Sequence, residues 1–80
     1  MIWQRIMENE GSEFRQIRGR TYTYKLAGYN LVPSTTNYLI SKTQIEKTLK
    51  RMPVSGPRAL QDLMGPSYLY AILSDLRINA

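Results

Sequence analysis

Tyr38-Leu39-Ile40-Ser41-Lys42-Thr43-Gln44-Ile45-Glu46-Lys47-Thr48-Leu49-Lys50-Arg51-Met52-Pro53 is the stretch where the chain changes its hydrophobic period. Upstream, in residues 21–26, apolar residues recur at every second position; from here on they recur every third or fourth, the spacing of a helix with one buried face. Ser41 stands where an N-cap belongs, and Gln44 follows three residues later, the spacing of a capping box that satisfies orphan amide donors. Ile40 before the cap and Ile45 after it are spaced as a hydrophobic staple. Ile45, Leu49 and Met52 supply the buried stripe, and Glu46 precedes Lys50 by four residues, the favourable order. Pro53 stops the run. The pattern predicts a helix over residues 42–52, with Tyr38-Leu39-Ile40 either a short strand or an extended entry into it.

Upstream, Phe14-Arg15-Gln16-Ile17-Arg18 and Thr21-Tyr22-Thr23-Tyr24-Lys25-Leu26 flank Gly19-Arg20. The second run alternates, with Tyr22, Tyr24 and Leu26 on one face and Thr21, Thr23 and Lys25 on the other, which suits a half-buried strand. Gly19 supplies the positive φ of a tight hairpin. Phe14 and Ile17 fall on opposite faces, so the register stays open unless a bulge reconciles them. Ala27-Gly28-Tyr29-Asn30 is a turn, Leu31-Val32 a short strand, and Pro33-Ser34-Thr35-Thr36-Asn37 a polar loop. In residues 1–11, Ile2, Trp3, Ile6 and Met7 share one side of a helical turn ended by Glu8-Asn9-Glu10-Gly11. That segment is either a short docking helix or a loosely ordered leader.

Downstream, two Gly-Pro pairs, Gly56-Pro57 and Gly65-Pro66, punctuate the chain nine residues apart. Proline suits the first position of a helix and glycine its cap, so each pair opens one. The first helix is expected over 57–64 with Leu60, Leu63 and Met64 inward. The second is expected over 66–76 with Leu69, Ile72, Leu73 and Leu76 as its stripe. The whole reads as α+β: an N-terminal antiparallel hairpin or sheet of three to four short strands, then three C-terminal helices packed on one face. Eighty residues form a single small domain, 1–80.

The net charge of +5 is gathered in the middle. Residues 12–53 hold Arg15, Arg18, Arg20, Lys25, Lys42, Lys47, Lys50 and Arg51 against Glu13 and Glu46. Outside them charges roughly cancel, Arg5 against Glu8 and Glu10, and Arg58 and Arg77 against Asp62 and Asp75. A local positive field of this kind favours phosphate-rich partners.

With neither cysteine nor histidine, the chain has no disulfide, no thiolate metal site and none of the usual general bases. No catalytic, metal or Gly-rich phosphate motif is present, so no cofactor and no enzymatic activity are expected. A histidine-free ribonuclease built on Arg, Lys and Tyr is the outlying alternative. No apolar run has the length of a membrane span or the form of a secretory signal, so the expectation is a cytoplasmic protein with no membrane partner.

The leading functional reading is a small basic domain that binds DNA or RNA mainly through backbone phosphates, as a regulatory or accessory protein. Arg15, Arg18, Arg20 and Lys25 would act from the hairpin, and Lys42, Lys47, Lys50 and Arg51 from the helix. Tyr22 and Tyr24 alternate with threonine and belong to the core rather than to a base-stacking surface. The paired helices at 57–76 do not suit a helix-turn-helix reader, because the second is too apolar to meet base edges. The alternative is a protein-interaction module, an inhibitor or accessory subunit, whose Trp3, Tyr68 and Tyr70 contact a partner or a second copy.

Overall fold

The computed structural model describes residues 2–79, and its first element is helix α1, Ile2–Glu8. The N-terminal segment, for which the sequence leaves a docking helix and a loosely ordered leader both open, is helical over Ile2–Glu8. Ile6 is its buried residue. The last carbonyls of a helix have no partner within it. Here the Tyr24 hydroxyl donates to the Ile6 carbonyl at 2.5 Å and the Asn9 side-chain amide to the Arg5 carbonyl at 2.8 Å. A strand residue thereby ties α1 to the core.

The alternation at 21–26 holds, since Tyr22 and Tyr24 are buried, Leu26 is half-buried, and Thr21 and Lys25 are exposed. The run does not stay in one sheet, however. Strand β1, Phe14–Arg15, pairs antiparallel with β2, Thr21–Tyr22, with Phe14 opposite Tyr22. Thr23 then leaves the ladder: its N–H donates to Ser34 Oγ at 3.0 Å and its carbonyl accepts the Ser34 N–H at 2.8 Å. Strand β3, Tyr24–Ala27, continues in a second sheet with β4, Asn30–Pro33, and β5, Ile40–Ser41, in the order β3-β4-β5. Two small antiparallel sheets replace the single one expected. The conflict between Phe14 and Ile17 resolves because β1 stops at Arg15, leaving Ile17 63% exposed in the tip. Gly19 turns that tip at φ +92°.

Ser41 ends β5 and caps α2, Lys42–Arg51, its Oγ accepting the Gln44 N–H at 3.2 Å. The capping box is one-sided, because Gln44 Oε1 is buried without a partner. Ile45 and Thr48 are the buried residues of α2, while Leu49 and Met52 are half-buried.

The expected helix at 57–64 is only a 3-10 helix, Pro57–Leu60. Its hydrogen bonds, from Ala59 to Gly56 and Gln61 to Arg58, span three residues, as does the following one from Leu63 to Leu60. Leu60 is buried, but Met64 is 46% exposed. Helix α3, Pro66–Leu73, is also shorter than expected. The Asp75 N–H reverts to the Ile72 carbonyl, and Asp75 Oδ1 accepts the Arg77 N–H at 2.9 Å, closing a turn. Leu76 is consequently thrown out to 78% exposure, and Ile78 takes its place in the core.

The core joins Ile6, Phe14, Tyr22, Tyr24, Leu31, Ile40 and Ile45 to Leu60, Leu69, Ile72, Leu73 and Ile78. Helix α3 touches α2, the 3-10 helix and β1, so the hairpin lies beside the helical half. Among the described residues no helix is long and apolar enough to cross a membrane.

Candidate functional site

Which cations are free is decided by one ion pair. Arg51, in the last turn of α2, reaches Asp62, just past the 3-10 helix, with Nη1 at 2.6 Å from Oδ1 and Nη2 at 2.7 Å from Oδ2. The hydrogen bonds from Arg51 hold the Asp62 carboxyl down at about 2 and push the guanidinium up from its ordinary value. Among the described residues the other ion pair is Asp75–Arg77, at 2.9 Å. The sequence suggested that Asp62 offsets Arg58; the fold gives Asp62 to Arg51 instead. Arg58 therefore has no carboxylate partner among the described residues.

Arg58 lines an open groove of about 610 Å³ between the hairpin tip and the helical half. Gln16, Ile17 and Arg18 form one wall, and Ser55, Gly56, Pro57, Arg58 and Gln61 another, with Pro66 and Ser67 at the start of α3. Two arginines from distant parts of the sequence thus line one concavity, and none of its lining residues is acidic. A second hollow of about 340 Å³ shares Gln16, Pro66 and Ser67 with the first and runs on to Thr35, Thr36, Tyr38 and Tyr68. The two hollows adjoin at these three residues and are taken together as one trough. Gly65 shapes the junction: it sits at φ +66°, and a Cβ there would meet Ile40 Cδ1 at 3.0 Å.

The other expected phosphate contacts are dispersed. Arg15 and Arg20 are exposed on the hairpin, outside the residues that line the groove. Lys25 lines a separate hollow on β3 and β4 with Val32 and Pro33. Lys42 lies against aromatics, its Nζ 5.7 Å from the Trp3 ring centre and 5.4 Å from that of Tyr29, a cation–π arrangement. Lys47 and Lys50 are exposed on α2, and the groove that takes Arg18 takes neither. Arg51 is engaged by Asp62.

Of the aromatics expected to meet a partner, Trp3 is half-buried and lines a hollow of about 240 Å³ between α1 and α2, with Ile2, Ile45 and Leu49. Tyr68 is engaged within the fold. Its hydroxyl shares a hydrogen bond with Thr35 Oγ1 at 2.7 Å, its carbonyl accepts from the Tyr22 hydroxyl at 3.2 Å, and its ring stands edge-on to Tyr22 at 4.9 Å. Tyr70 is half-buried against the core. Burial pushes the phenols of Tyr22 and Tyr24 well above their ordinary range, in keeping with their place in the core.

Sequence reasoning missed Arg58 and Tyr38. The signal for Arg58 was the doubled Gly-Pro punctuation, since Gly56, Pro57 and Pro66 all line the groove in which it sits. Tyr38 carried no signal, because its place in the second hollow goes with its contact to Tyr68, thirty residues further on. Comparison of the chain with protein-family models, curated proteins and solved structures gives no match.

Proposed function

We propose that this protein is a non-enzymatic nucleic-acid-binding domain that contacts mainly backbone phosphates. One observation carries the reading: Arg18 and Arg58, neither paired with a carboxylate among the described residues, line the same acid-free groove. Guanidinium forks suit phosphate oxygens, and an open groove lets a chain of phosphates pass rather than enclosing one small molecule. Arg20, Lys47 and Lys50 are exposed elsewhere on the surface and add to the positive field that draws a polyanion in.

The test is a titration of labelled mixed-sequence nucleic acid between about 50 and 200 mM salt. Binding should weaken steeply as salt rises, and the R18Q/R58Q double variant should flatten the log–log slope by roughly 1.4–1.8, the value for two lost phosphate contacts. No measurable affinity at the lowest salt, or an unchanged slope in the double variant, would overturn the reading.

A second reading is favoured by the hollow beside Trp3, where Ile2, Ile45 and Leu49 line an aromatic side chain and Lys42 and Glu46, of opposite charge, complete the lining. A protein partner held there would bind with little dependence on salt and would be lost in Trp3→Ala.

A further inference from the structure

Resting on the nucleic-acid reading above, we infer that the ligand of the trough is a single strand, with phosphates over Arg18 and Arg58 and an unpaired base on Tyr38. The two hollows share Gln16, Pro66 and Ser67, so a chain can run from the arginines to the tyrosine without leaving the surface. Tyr38 is 45% exposed, and its ring is held against Tyr68, 6.2 Å between centres and 85° between planes. Tyr68 is in turn fixed by its hydrogen bond to Thr35 and its edge contact with Tyr22. Tyr38 thus rests on an anchored neighbour while part of its surface is open to a ligand.

The partner's chemistry follows from this pairing of groups. Arginine supplies charge to the backbone, and an aromatic ring offers a face on which any unpaired base can stack. A duplex hides its base faces in its own stack and leaves Tyr38 nothing to receive. A helix or ribbon that reads a duplex projects into a groove; here the two arginines line a concavity instead. Gln16 and Ser67, where the two hollows meet, add donors and acceptors that can meet phosphate, sugar or base without selecting one sequence.

The experiment compares fluorescence anisotropy of labelled oligo-dT, oligo-rU and a blunt mixed-sequence duplex of equal length at low salt. At least one single strand should bind ten-fold or more tighter than the duplex, and the stronger of the two identifies the sugar preferred. Tyr38→Ala should weaken the single strand about five-fold or more, the loss expected for one stacked base, while Tyr38→Phe keeps the ring and keeps the binding. Arg58→Gln should lower the single-strand salt slope by about 0.7. Far-UV circular dichroism checks that each variant is folded. If the duplex binds as tightly as the strands, or Tyr38→Ala binds as well as the parent, the single-strand inference falls while phosphate binding stands. If neither form binds, both fall together.

Discussion

Arg51 and Asp62 clasp each other through two hydrogen bonds of 2.6 and 2.7 Å, eleven residues apart in sequence and both exposed to solvent. The pair joins the end of α2 to the turn after the 3-10 helix and neutralises one cation of the basic segment. It also leaves Arg58, alongside Arg18, without a carboxylate partner in the groove. Exposed pairs of this kind contribute little to stability. On the proposed nucleic-acid reading its consequence is larger for binding, because it sets which guanidinium is free.

Asp62→Asn should therefore tighten nucleic-acid binding and steepen its salt dependence, by releasing Arg51 and removing a nearby negative charge. The same variant has a signature in acid. The Asp62 carboxyl sits at about 2 when folded, against 3.8 ordinarily. A depressed folded value contributes stability that is present above the unfolded value and is lost as pH falls through the folded one. Urea melts of the parent should weaken between about pH 4 and pH 2, and Asp62→Asn should weaken less. Some loss remains in the variant, because Arg77 holds the Asp75 carboxyl down as well. Identical acid profiles for parent and variant would show that the pair does not form in solution.

At the alkaline end the sign reverses. Burial raises the Tyr24 phenol above its ordinary range. The folded chain keeps that proton where the unfolded chain gives it up, so the contribution is complete below about pH 10 and falls as pH rises beyond it. Tyr24→Phe should shed part of this alkaline loss, with the Tyr22 share remaining. At neutral pH the variant should cost about 1–3 kcal/mol, since it leaves the buried Ile6 carbonyl without its hydroxyl donor. An unchanged denaturation midpoint at neutral pH would mean that α1 is not anchored through this bond.

Local signals in the sequence were read most reliably where one element decides the outcome. The Ser41 cap, the end of α2 and the period-two burial of Tyr22 and Tyr24 each depend on neighbours within a few residues, and each is observed. What could not be read depends on distant partners. The split of the strand at Thr23 is made by Ser34, and the freeing of Arg58 by the choice of Asp62 for Arg51. The same holds for the site: Arg18 was visible as a hairpin cation, whereas Arg58 and Tyr38 acquire meaning only when the tip folds against the Gly-Pro bends.

Ser41→Ala should cost about 1 kcal/mol, the usual loss of a hydroxyl N-cap. The bond from the Gln44 N–H to Ser41 Oγ is the one removed. Since Gln44 Oε1 makes no bond in return, Gln44→Leu should be near neutral or stabilising, because it replaces a buried, unpartnered polar atom. A large loss from Gln44→Leu, measured by urea melts, would mean that the box closes on both sides in solution.

The C-terminal stripe provides the sharpest stability contrast. Sequence spacing puts Ile72 and Leu76 on the same face, yet Ile72 is 2% exposed and Leu76 is 78% exposed. The reason is the turn at Asp75, whose side chain takes the Arg77 amide and guanidinium while Arg77 stacks over Phe14 at 4.0 Å and donates to the Glu13 carbonyl. The chain is thereby bent back, and Ile78 reaches the core position that a continuing helix would have given to Leu76. Ile72→Ala and Ile78→Ala should each cost about 2–5 kcal/mol, close to the total stability of so small a domain. Leu76→Ala should stay within about 0.5 kcal/mol. If Leu76→Ala proves as damaging as Ile72→Ala in thermal or urea melts, the helix continues in solution or Leu76 is covered by a second copy. A Tm that rises with protein concentration in the parent but not in Leu76→Ala would identify the second case.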